Sequence, residues 1–363
     1  MSKLPKRDGA WRVAVIPGDH VGKEVIPEAL HVLDAVAPLC NIPARTECFP
    51  WGSEHYLSTG SVMPQDGLDR LRDYDAVLLG AIGDAARVPD AVMSWGLVQR
   101  VRKGFDLWVN LRPARLRPGM ISPVRNAQSF DVVIVRENTE GEYSGAGGRI
   151  HQGFPHEAAV QTSIFTRSSV ERVVRYAFDL AKSRPRKRLT SVTKSNAMNH
   201  AMVLWDEVVS EISRDYPDIR VDTAHIDAMV MYLITRPHHF DVILASNLFG
   251  DIVSDQAAAI QGSIGLAAGA NLCPSGTVPG MFEPIHGSAP DIAGRGIANP
   301  LAAILAVSLM LQDFGEAAAA DAIERAVDEV LVDGNVRTPD LGGNSSTREL
   351  GGEVVAAIGG RST

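Results

Sequence analysis

The 363-residue chain contains 45% hydrophobic and 21% charged residues, enough for the cores of about two domains of ordinary size. Its formal net charge of −8 argues against a nucleic-acid-binding surface, because such surfaces are basic. The first ten residues show no secretory pattern, and the most apolar run, Leu301 to Leu311, is too short to cross a bilayer and predicts a fully buried helix. Three cysteines without CxxC spacing are typical of packed free thiols in a reducing compartment, so a cytoplasmic globular protein without a membrane segment is predicted.

Short apolar strands alternate with helical patterns along the chain, beginning with a strand at Trp11 to Ile16 and a helix at Lys23 to Ala37. The further predicted strands are residues 75–79, 131–135, 189–193 and 241–246, and the further predicted helices are residues 168–183, 199–214, 301–312 and 316–331. Such alternation is typical of an α/β fold with a largely parallel sheet. A glycine-rich stretch from Thr139 to Phe165 breaks the pattern and predicts an arm or hairpin.

Polar residues stand directly after several of these strands. Arg136 follows the strand at 131–135, and Lys194 follows the strand at 189–193. In open α/β sheets ligands bind beyond the carboxyl ends of parallel strands. The sequence therefore predicts one polar cleft at these strand ends.

Asp251 and Asp255 follow the strand predicted at 241–246. A helix that begins at Asp251 would place both carboxylates on one face, one turn apart. An isolated pair of this kind is more often a solvated helix surface than a metal site. Its position beyond a strand end favours a site for Mg²⁺ or Mn²⁺, which prefer hard carboxylate oxygens.

The common phosphate-binding motifs are absent from the sequence. Gly18 to Glu24 resembles a P-loop but is one residue short and lacks the Ser or Thr, and no Rossmann GxGxxG follows a strand. The best candidate for a nucleotide site is the loop from His286 to Pro300, where small residues allow close backbone approach. Asp291 in this loop has a carboxylate that can accept ribose hydroxyls, although a rigid turn without a ligand is the alternative.

Seven segments, in order along essentially the whole chain, resemble the β-decarboxylating dehydrogenases: the isopropylmalate, isocitrate, and tartrate or D-malate dehydrogenases. The segments are Val15–Asp19, Asn110–Pro113, Val135–Tyr143, Lys194–Asn196, Asp227–Met229, Asn247–Asp255 and His286–Pro300. The chain departs from the family at His20, where the family usually has glycine.

The resemblance implies an isocitrate/isopropylmalate dehydrogenase-like α/β fold, with two α/β domains and a cleft between them that closes on binding. Residues 1–108 with 262–363 would form the larger, cofactor-binding domain. Residues 109–261 would form the smaller central domain, whose arm at about 139–165 joins a homodimer with shared active sites.

The resemblance also implies roles for individual residues. Arg102, Arg112 and Arg136 match the arginines that bind a small dicarboxylate substrate, a task suited to planar and permanently charged guanidinium groups. Tyr143 matches the tyrosine that protonates the enol after CO₂ leaves, and Lys194 matches the residue that takes the hydroxyl proton. The alternative for each arginine is a surface ion pair. The alternative for Tyr143 is a packed aromatic ring, and that for Lys194 is a simple carboxylate-binding cation.

The family pattern further implies one Mn²⁺ or Mg²⁺ bound by Asp227, Asp251 and Asp255, with Asp227 and Lys194 supplied by the partner subunit. A monovalent cation such as K⁺ is also expected. The expected cofactor contacts are Asn196 at the nicotinamide end and His286, Gly287, Ser288, Ala289, Pro290, Asp291, Ile292 and Asn299 in the loop. The cofactor is expected to be NAD, because NADP-dependent members carry Lys and Tyr where this chain has Asp291 and Ile292.

Substrate size is predicted from the residues before Arg102. On a continuous α-helix Gln99, Val98 and Trp95 share its face, where isopropylmalate dehydrogenases carry an apolar wall for the isopropyl branch. A bulky Trp95 and a polar Gln99 favour tartrate or D-malate, unless Trp95 packs into the domain core. Three other activities stay open: oxidation of isopropylmalate, oxidation of isocitrate, and net non-redox decarboxylation with retained NAD. The complete set of site residues argues against a catalytically silent subunit.

Overall fold

The computed structural model describes residues 9–40, 43–125, 127 and 129–360. Residues 1–8, part of the N-terminus that is predicted to lack a signal sequence, lie outside the described residues. The strands are β1 Trp11–Gly18, β2 Ala44–Cys48, β3 Ala76–Ala81, β4 Val109–Arg115, β5 Asp131–Glu137, β6 Gly141–Ile150, β7 Ala158–Ile164, β8 Arg188–Thr193, β9 Arg220–His225, β10 Val242–Ala245, β11 Ala268–Leu272 and β12 Gly280–Pro284. The helices are α1 Gly22–Val36, α2 Ser53–Thr59, α3 Gly67–Leu71, α4 Asp90–Met93, α5 Gln99–Gly104, α6 Arg167–Ser183, α7 Ala201–Ser213, α8 Ile226–Thr235, α9 Asn247–Ile260, α10 Leu301–Phe314, α11 Ala317–Asp333 and α12 Thr347–Ile358.

The chain divides into two compact units. The first unit comprises Met1–Leu107, Arg115–Arg125 and Ala258–Thr363, and the second comprises Trp108–Ala114 and Asn126–Ala257. Residues 115–125 thus belong to the first unit rather than to the predicted central domain. The reason is electrostatic: both Arg115 and Arg117 form ion pairs with Glu324 and Asp328 of α11.

The first unit carries strands in the order β2-β1-β3-β12-β11. All neighbours are parallel except β11, which runs antiparallel to β12. Every residue of β3 is buried, as expected for a parallel strand covered on both faces. These parallel strands with intervening helices confirm the predicted α/β class.

Helix α10 lies at the centre of the first unit and contacts α1, α11, β11 and β12. Almost all of its residues are buried within the single chain, as predicted for the run at 301–311. Its Ser308 donates a hydrogen bond to the carbonyl oxygen of Ala320, so this buried hydroxyl is satisfied. At the end of α10, the ring of Phe314 stacks on Trp11 of β1 with centroids 4.1 Å apart.

The second unit carries strands in the order β4-β5-β10-β8-β9. The pairs β5–β10, β10–β8 and β8–β9 are parallel, and all four residues of β10 are buried. Because β5, β8 and β10 are parallel neighbours, the residues that follow them come to one edge of the sheet. This arrangement positions the candidate site described below.

The glycine-rich stretch forms an antiparallel hairpin of β6 and β7, which is a separate two-stranded sheet. Strand β7 is exposed along its whole length, and Ile150, Phe154 and Val160 are exposed apolar side chains. A two-stranded sheet without a second layer is marginal by itself. The predicted role of this hairpin in a homodimer stays a prediction.

Cys40, Cys48 and Cys273 are free thiols. Cys48 is exposed, so the expectation that all three are packed is wrong for this residue. It lies on β2, the outer strand of its sheet, which has a neighbour on one side only. Among the described residues, no helix combines the length and apolar character required to cross a membrane.

Candidate active site

Helix α9 begins at Asn247, four residues before the start predicted at Asp251. The carboxylate of Glu142 accepts hydrogen bonds from the backbone N–H of Leu248 at 3.0 Å and from the Ser246 hydroxyl at 2.9 Å. A carboxylate at this end satisfies unpaired N–H groups and complements the positive end of the helix dipole. The extra turn places Asp251 one turn into the helix, with Asp255 four residues later.

Two arginines bind these carboxylates from neighbouring strands. Arg112 of β4 donates through Nη1 to Asp251 Oδ1 at 3.0 Å and to Ser254 Oγ at 2.7 Å, and its Nη1 lies 3.4 Å from Asp255 Oδ1. Arg136 of β5 is 1% exposed, and its Nη1 also bonds to Asp251. Guanidinium groups remain charged when buried, so both arginines are fixed cations.

Asn247 fixes the orientation of Arg136. Its Oδ1 accepts hydrogen bonds from Arg136 Nε at 3.0 Å and Nη2 at 2.8 Å, while its Nδ2 donates to the Glu140 carbonyl oxygen at 3.1 Å. The guanidinium fork is therefore held by an amide and a carboxylate of one helix. Sequence reasoning did not assign roles to Asn247 or Glu142, although both lie in the matched segments.

Tyr143 at the start of the hairpin completes this cluster. Its hydroxyl donates to Asp251 Oδ2 at 3.0 Å, and the Arg136 guanidinium lies over its ring, 5.4 Å from the centroid. Five of the predicted site residues are thus brought together within the second unit: Arg112, Arg136, Tyr143, Asp251 and Asp255.

The electrostatics of the cluster are nearly balanced. Desolvation raises the pKa of Asp255, the Arg112 guanidinium opposes that rise, and the neighbouring Asp251 carboxylate adds to it. Two hard carboxylates one turn apart suit a divalent cation. In the described part of the chain, however, no group of three or more His, Cys, Asp and Glu residues is placed to hold a metal ion. The cluster contains two of the three predicted aspartates, Asp251 and Asp255, and the metal site stays a prediction.

Lys194 and Asp227 form a second, separate pair. The Lys194 ammonium, directly after β8, donates to Asp227 Oδ1 at 2.7 Å near the start of α8, and this contact lowers the pKa of the Asp227 carboxyl. Asp227 is exposed, and so is Asn196 in the turn after Lys194. The prediction that Lys194 and Asp227 serve the site of a partner subunit is compatible with this pairing and stays a prediction.

Arg102 lies in the first unit, on α5. Its Nη2 donates at 2.7 Å to Glu283 Oε1, which also accepts from Asn271 Nδ2 at 2.8 Å, and all three residues are buried. A buried guanidinium requires such a counter-charge. Glu283 and Asn271, on β12 and β11, were not identified from the sequence.

The segment before α5 is not a continuous α-helix. Ser94–Val98 is a π-helical turn, closed by the N–H of Gln99 bonding to the carbonyl oxygen of Ser94. The spacing assumed for the substrate wall therefore holds for Gln99 but not for Val98 or Trp95. Trp95 is 43% exposed beneath the Lys103 ammonium, which excludes the alternative that it packs into the core. Val98 packs partly against the core of the first unit.

The predicted cofactor loop is held by residues outside it. The carboxylate of Glu24 on α1 accepts the backbone N–H groups of Gly294 at 2.6 Å and Gly296 at 2.9 Å. The N–H of Val21 donates to the carbonyl oxygen of Ser288 at 3.1 Å. At the end of the loop, Asn299 Oδ1 accepts the N–H of Leu301, the first residue of α10, at 2.9 Å.

Within the loop, the surroundings fit a ligand. Burial lowers the pKa of His286, and its Nε2 is buried without a hydrogen-bond partner among the described residues. A Cβ at Gly287 would meet nothing within 4 Å, so the backbone there is open to close approach. Asp291 is exposed and Ile292 is partly buried, and Ala289 and Pro290 complete the turn.

The departure at His20 is a matter of backbone conformation. His20 has a φ of +46°, a left-handed conformation in which glycine is favoured. Its Nε2 lies 3.4 Å from an oxygen of the buried Asp84 carboxylate.

The chain matches the isocitrate/isopropylmalate dehydrogenase family over residues 12–354. It belongs to this family. It is 47% identical to a probable tartrate dehydrogenase/decarboxylase of Bacillus subtilis (strain 168), over 96% of this chain and 98% of the relative. It is 46% identical to a D-malate dehydrogenase [decarboxylating] of Escherichia coli (strain K12), over 96% and 98%. It is also 47% identical to a 3-isopropylmalate dehydrogenase of Thermobifida fusca (strain YX), over 96% and 97%.

A solved structure of isocitrate dehydrogenase from Methylococcus capsulatus has a TM-score of 0.88 to this chain and 36% sequence identity, covering 96% of this chain and 99% of that one. The protein is therefore a decarboxylating dehydrogenase with the fold of this family. Enzymes of the family act on small molecules and generally use NAD and a divalent metal. Overall identity does not choose a substrate, because relatives named for tartrate and for 3-isopropylmalate are equally similar.

Gly250 allows Arg136 to lie against α9. A Cβ at this position would come within 2.6 Å of Arg136 Cγ and 2.7 Å of its Cβ. We expect Gly250→Ala to displace the guanidinium from Asn247 and Asp251 and to lower kcat/KM of the dehydrogenase reaction by about 100-fold, since misplaced site groups cost that much. Steady-state kinetics would measure the loss.

The matched control is Gly352→Ala, also a helical glycine, at which an added Cβ would meet nothing within 4 Å. Alanine there should raise the free energy of unfolding by about 0.5–1 kcal/mol and leave kcat/KM unchanged. Full activity of the Gly250 variant would show that the position of Arg136 does not depend on this glycine.

Proposed function

We propose that the protein oxidises C2 of a small 2-hydroxy dicarboxylic acid, tartrate or D-malate, with NAD and a divalent metal, and releases the β-carboxylate as CO₂. The observation that supports this most directly is the cluster on α9. Two buried arginines, a tyrosine hydroxyl and two aspartates share one small region of the second unit. Such a set binds carboxylates, holds a hard cation and carries a transferable proton.

The arginines in this proposal bind the substrate. Arg112 and Arg136 offer planar, permanently charged forks, and Arg102 offers a third from the first unit. At present Arg112 and Arg136 are occupied by Asp251 and Asp255. Substrate carboxylates and a cation together would replace these contacts without leaving a charge unpaired.

Tyr143 and Lys194 move protons in this proposal. The Tyr143 hydroxyl protonates the enol carbon after CO₂ has left, and Arg136 over its ring stabilises the phenolate that results. Lys194 of the partner subunit takes the C2 hydroxyl proton. Asp251, Asp255 and the partner's Asp227 would hold a divalent cation, which would supply Lewis-acid polarisation, and the loop at 286–299 would hold NAD, which would supply the hydride acceptor.

The proposed assembly is a cytoplasmic homodimer. Its support is the exposed apolar surface of the β6–β7 hairpin. Lys194 and Asp227 already pair at 2.7 Å and would act as one unit toward the partner. We also propose that the enzyme binds a monovalent cation such as K⁺.

3-Isopropylmalate is a second candidate substrate, because the Thermobifida fusca relative named for it is 47% identical. The polar Gln99 favours the smaller substrates, whereas Trp95, which lies in the π-turn and is exposed, does not contribute to this argument. An apolar wall for a branched alkyl group requires apolar side chains, which Gln99 does not provide.

We expect D-malate and tartrate to give higher kcat/KM than 3-isopropylmalate and isocitrate when NADH formation is followed for all four. Each methylene contributes only about 1–3 kcal/mol of discrimination, so slow side activity on larger substrates is expected. A clear preference for 3-isopropylmalate would contradict the substrate proposal. CO₂ release without net NADH formation would indicate a non-redox decarboxylase instead.

Removal of divalent metal by chelation should abolish turnover, and added Mn²⁺ or Mg²⁺ should restore it. Asp251→Asn should lose most activity while its unfolding transition stays cooperative, because the amide removes a negative oxygen ligand. Asp321→Asn, at an exposed position of α11, is the matched control and should behave as wild type. Full activity after exhaustive metal removal would overturn the metal proposal.

NAD should be preferred over NADP, because the Asp291 carboxylate accepts a ribose 2′-hydroxyl but repels a 2′-phosphate. The double variant Asp291→Lys, Ile292→Tyr should shift the ratio of kcat/KM values toward NADP. The test is the ratio of kcat/KM for NADP to kcat/KM for NAD, measured with the same hydroxy acid at a saturating concentration. Equal use of both cofactors by the unmutated enzyme would refute this assignment.

A further inference from the structure

Gln99 begins helix α5, and its side chain is 7% exposed. Its Oε1 is buried without a hydrogen-bond partner among the described residues. Arg102 lies one helical turn later and is 5% exposed, and its Nε is likewise buried without a partner. An unsatisfied acceptor and an unsatisfied donor therefore occur three residues apart on one helix face.

Buried polar groups in folded proteins are almost always hydrogen-bonded, because an unpaired one is costly. Arg102 uses Nη2 for Glu283, so part of its guanidinium has an internal counter-charge. Gln99 Oε1 and Arg102 Nε, in contrast, have no hydrogen-bond partner among the described residues. The two atoms together indicate a place prepared for a ligand that carries both an anionic group and a hydroxyl.

The π-helical turn explains why Gln99 alone takes this position. The bond from Gln99 N–H to the Ser94 carbonyl oxygen ends the π-turn at the residue where α-helical spacing to Arg102 begins. Trp95 consequently lies at the surface beside Lys103, and Val98 packs toward the core. Of the three residues predicted to form the substrate wall, the one in register with Arg102 is polar. π-Turns within helices are frequent at functional sites.

We propose that Gln99 is a specificity-determining residue that hydrogen-bonds a hydroxyl group at C3 of the substrate while Arg102 binds the neighbouring carboxylate. This rests on the proposed function and selects within it a 2,3-dihydroxy dicarboxylate over its 3-deoxy counterpart. A hydroxyl both donates and accepts, so it satisfies the amide in either orientation of its O and N atoms. An alkyl group at C3 satisfies neither atom and leaves the amide buried and unpaired.

The test is Gln99→Met, which preserves side-chain length and removes both polar atoms. We expect kcat/KM for tartrate to fall by about 10–100-fold, the factor that matches loss of one buried hydrogen bond. D-Malate, with no hydroxyl at C3, should be affected far less, so the tartrate-to-D-malate ratio should collapse. Gln99→Leu should give the same ratio, and Gln312→Met, at an exposed position of α10, should leave the ratio at the wild-type value.

Calorimetric titration of tartrate and of D-malate into wild type and Gln99→Met, with Mg²⁺ present, gives a second readout that is independent of turnover. The tartrate dissociation constant should rise by a similar factor, and that for D-malate should not. An unchanged ratio in both variants, with both acids still oxidised, would overturn the role of Gln99 and leave the proposed function intact. Preference of the wild type for 3-isopropylmalate over both acids would instead overturn the proposed function, and the role of Gln99 with it.

Discussion

The carboxylate of Asp251 is the point on which the arrangement of the second unit depends. Strand β4 contributes Arg112 to it, strand β5 contributes Arg136, and the hairpin contributes the hydroxyl of Tyr143. Three elements that precede Asp251 by more than one hundred residues in sequence therefore meet at one helical side chain. Because Arg136 is almost fully buried, removal of its counter-charge would leave a desolvated cation, which proteins tolerate poorly.

The position of Asp251 depends in turn on where α9 begins. Glu142 accepts the Leu248 N–H and the Ser246 hydroxyl, and Asn247 anchors the fork of Arg136. The same short segment of hairpin thus supplies the helix cap through Glu142 and the proton-bearing group through Tyr143. This is a physical reason for Glu142 and Tyr143 to be adjacent in the sequence.

Much of the fold was predictable because it depends on local patterns. Apolar runs followed by Arg136, Lys194 or Gly80 marked parallel strands, and the buried helix at 301–311 was evident from composition alone. The start of α9 was not predictable, because its cap comes from Glu142, more than one hundred residues earlier. The π-turn at Ser94–Val98 leaves no periodic signal in so short a stretch. The placement of residues 115–125 depends on ion pairs with α11, more than two hundred residues away in sequence.

The same distinction applies to the site. Residue types beyond strand ends pointed to Arg136, Asp251 and Asp255, and the family resemblance added Arg112 and Tyr143. Residues that support them, such as Glu283 behind Arg102, were invisible because their partners are set by tertiary packing. That Gln99 Oε1 has no hydrogen-bond partner in the described part of the chain is likewise a property of its three-dimensional surroundings, not of sequence.

Glu24 of α1 orders the loop after β12 before any ligand binds to it. Its carboxylate fixes the N–H groups of Gly294 and Gly296, two residues that would otherwise have wide conformational freedom. The loss of backbone entropy at these glycines therefore occurs when the chain folds. If the proposed nucleotide binds there, it meets an already ordered surface, and its affinity is not reduced by the entropy of ordering that surface.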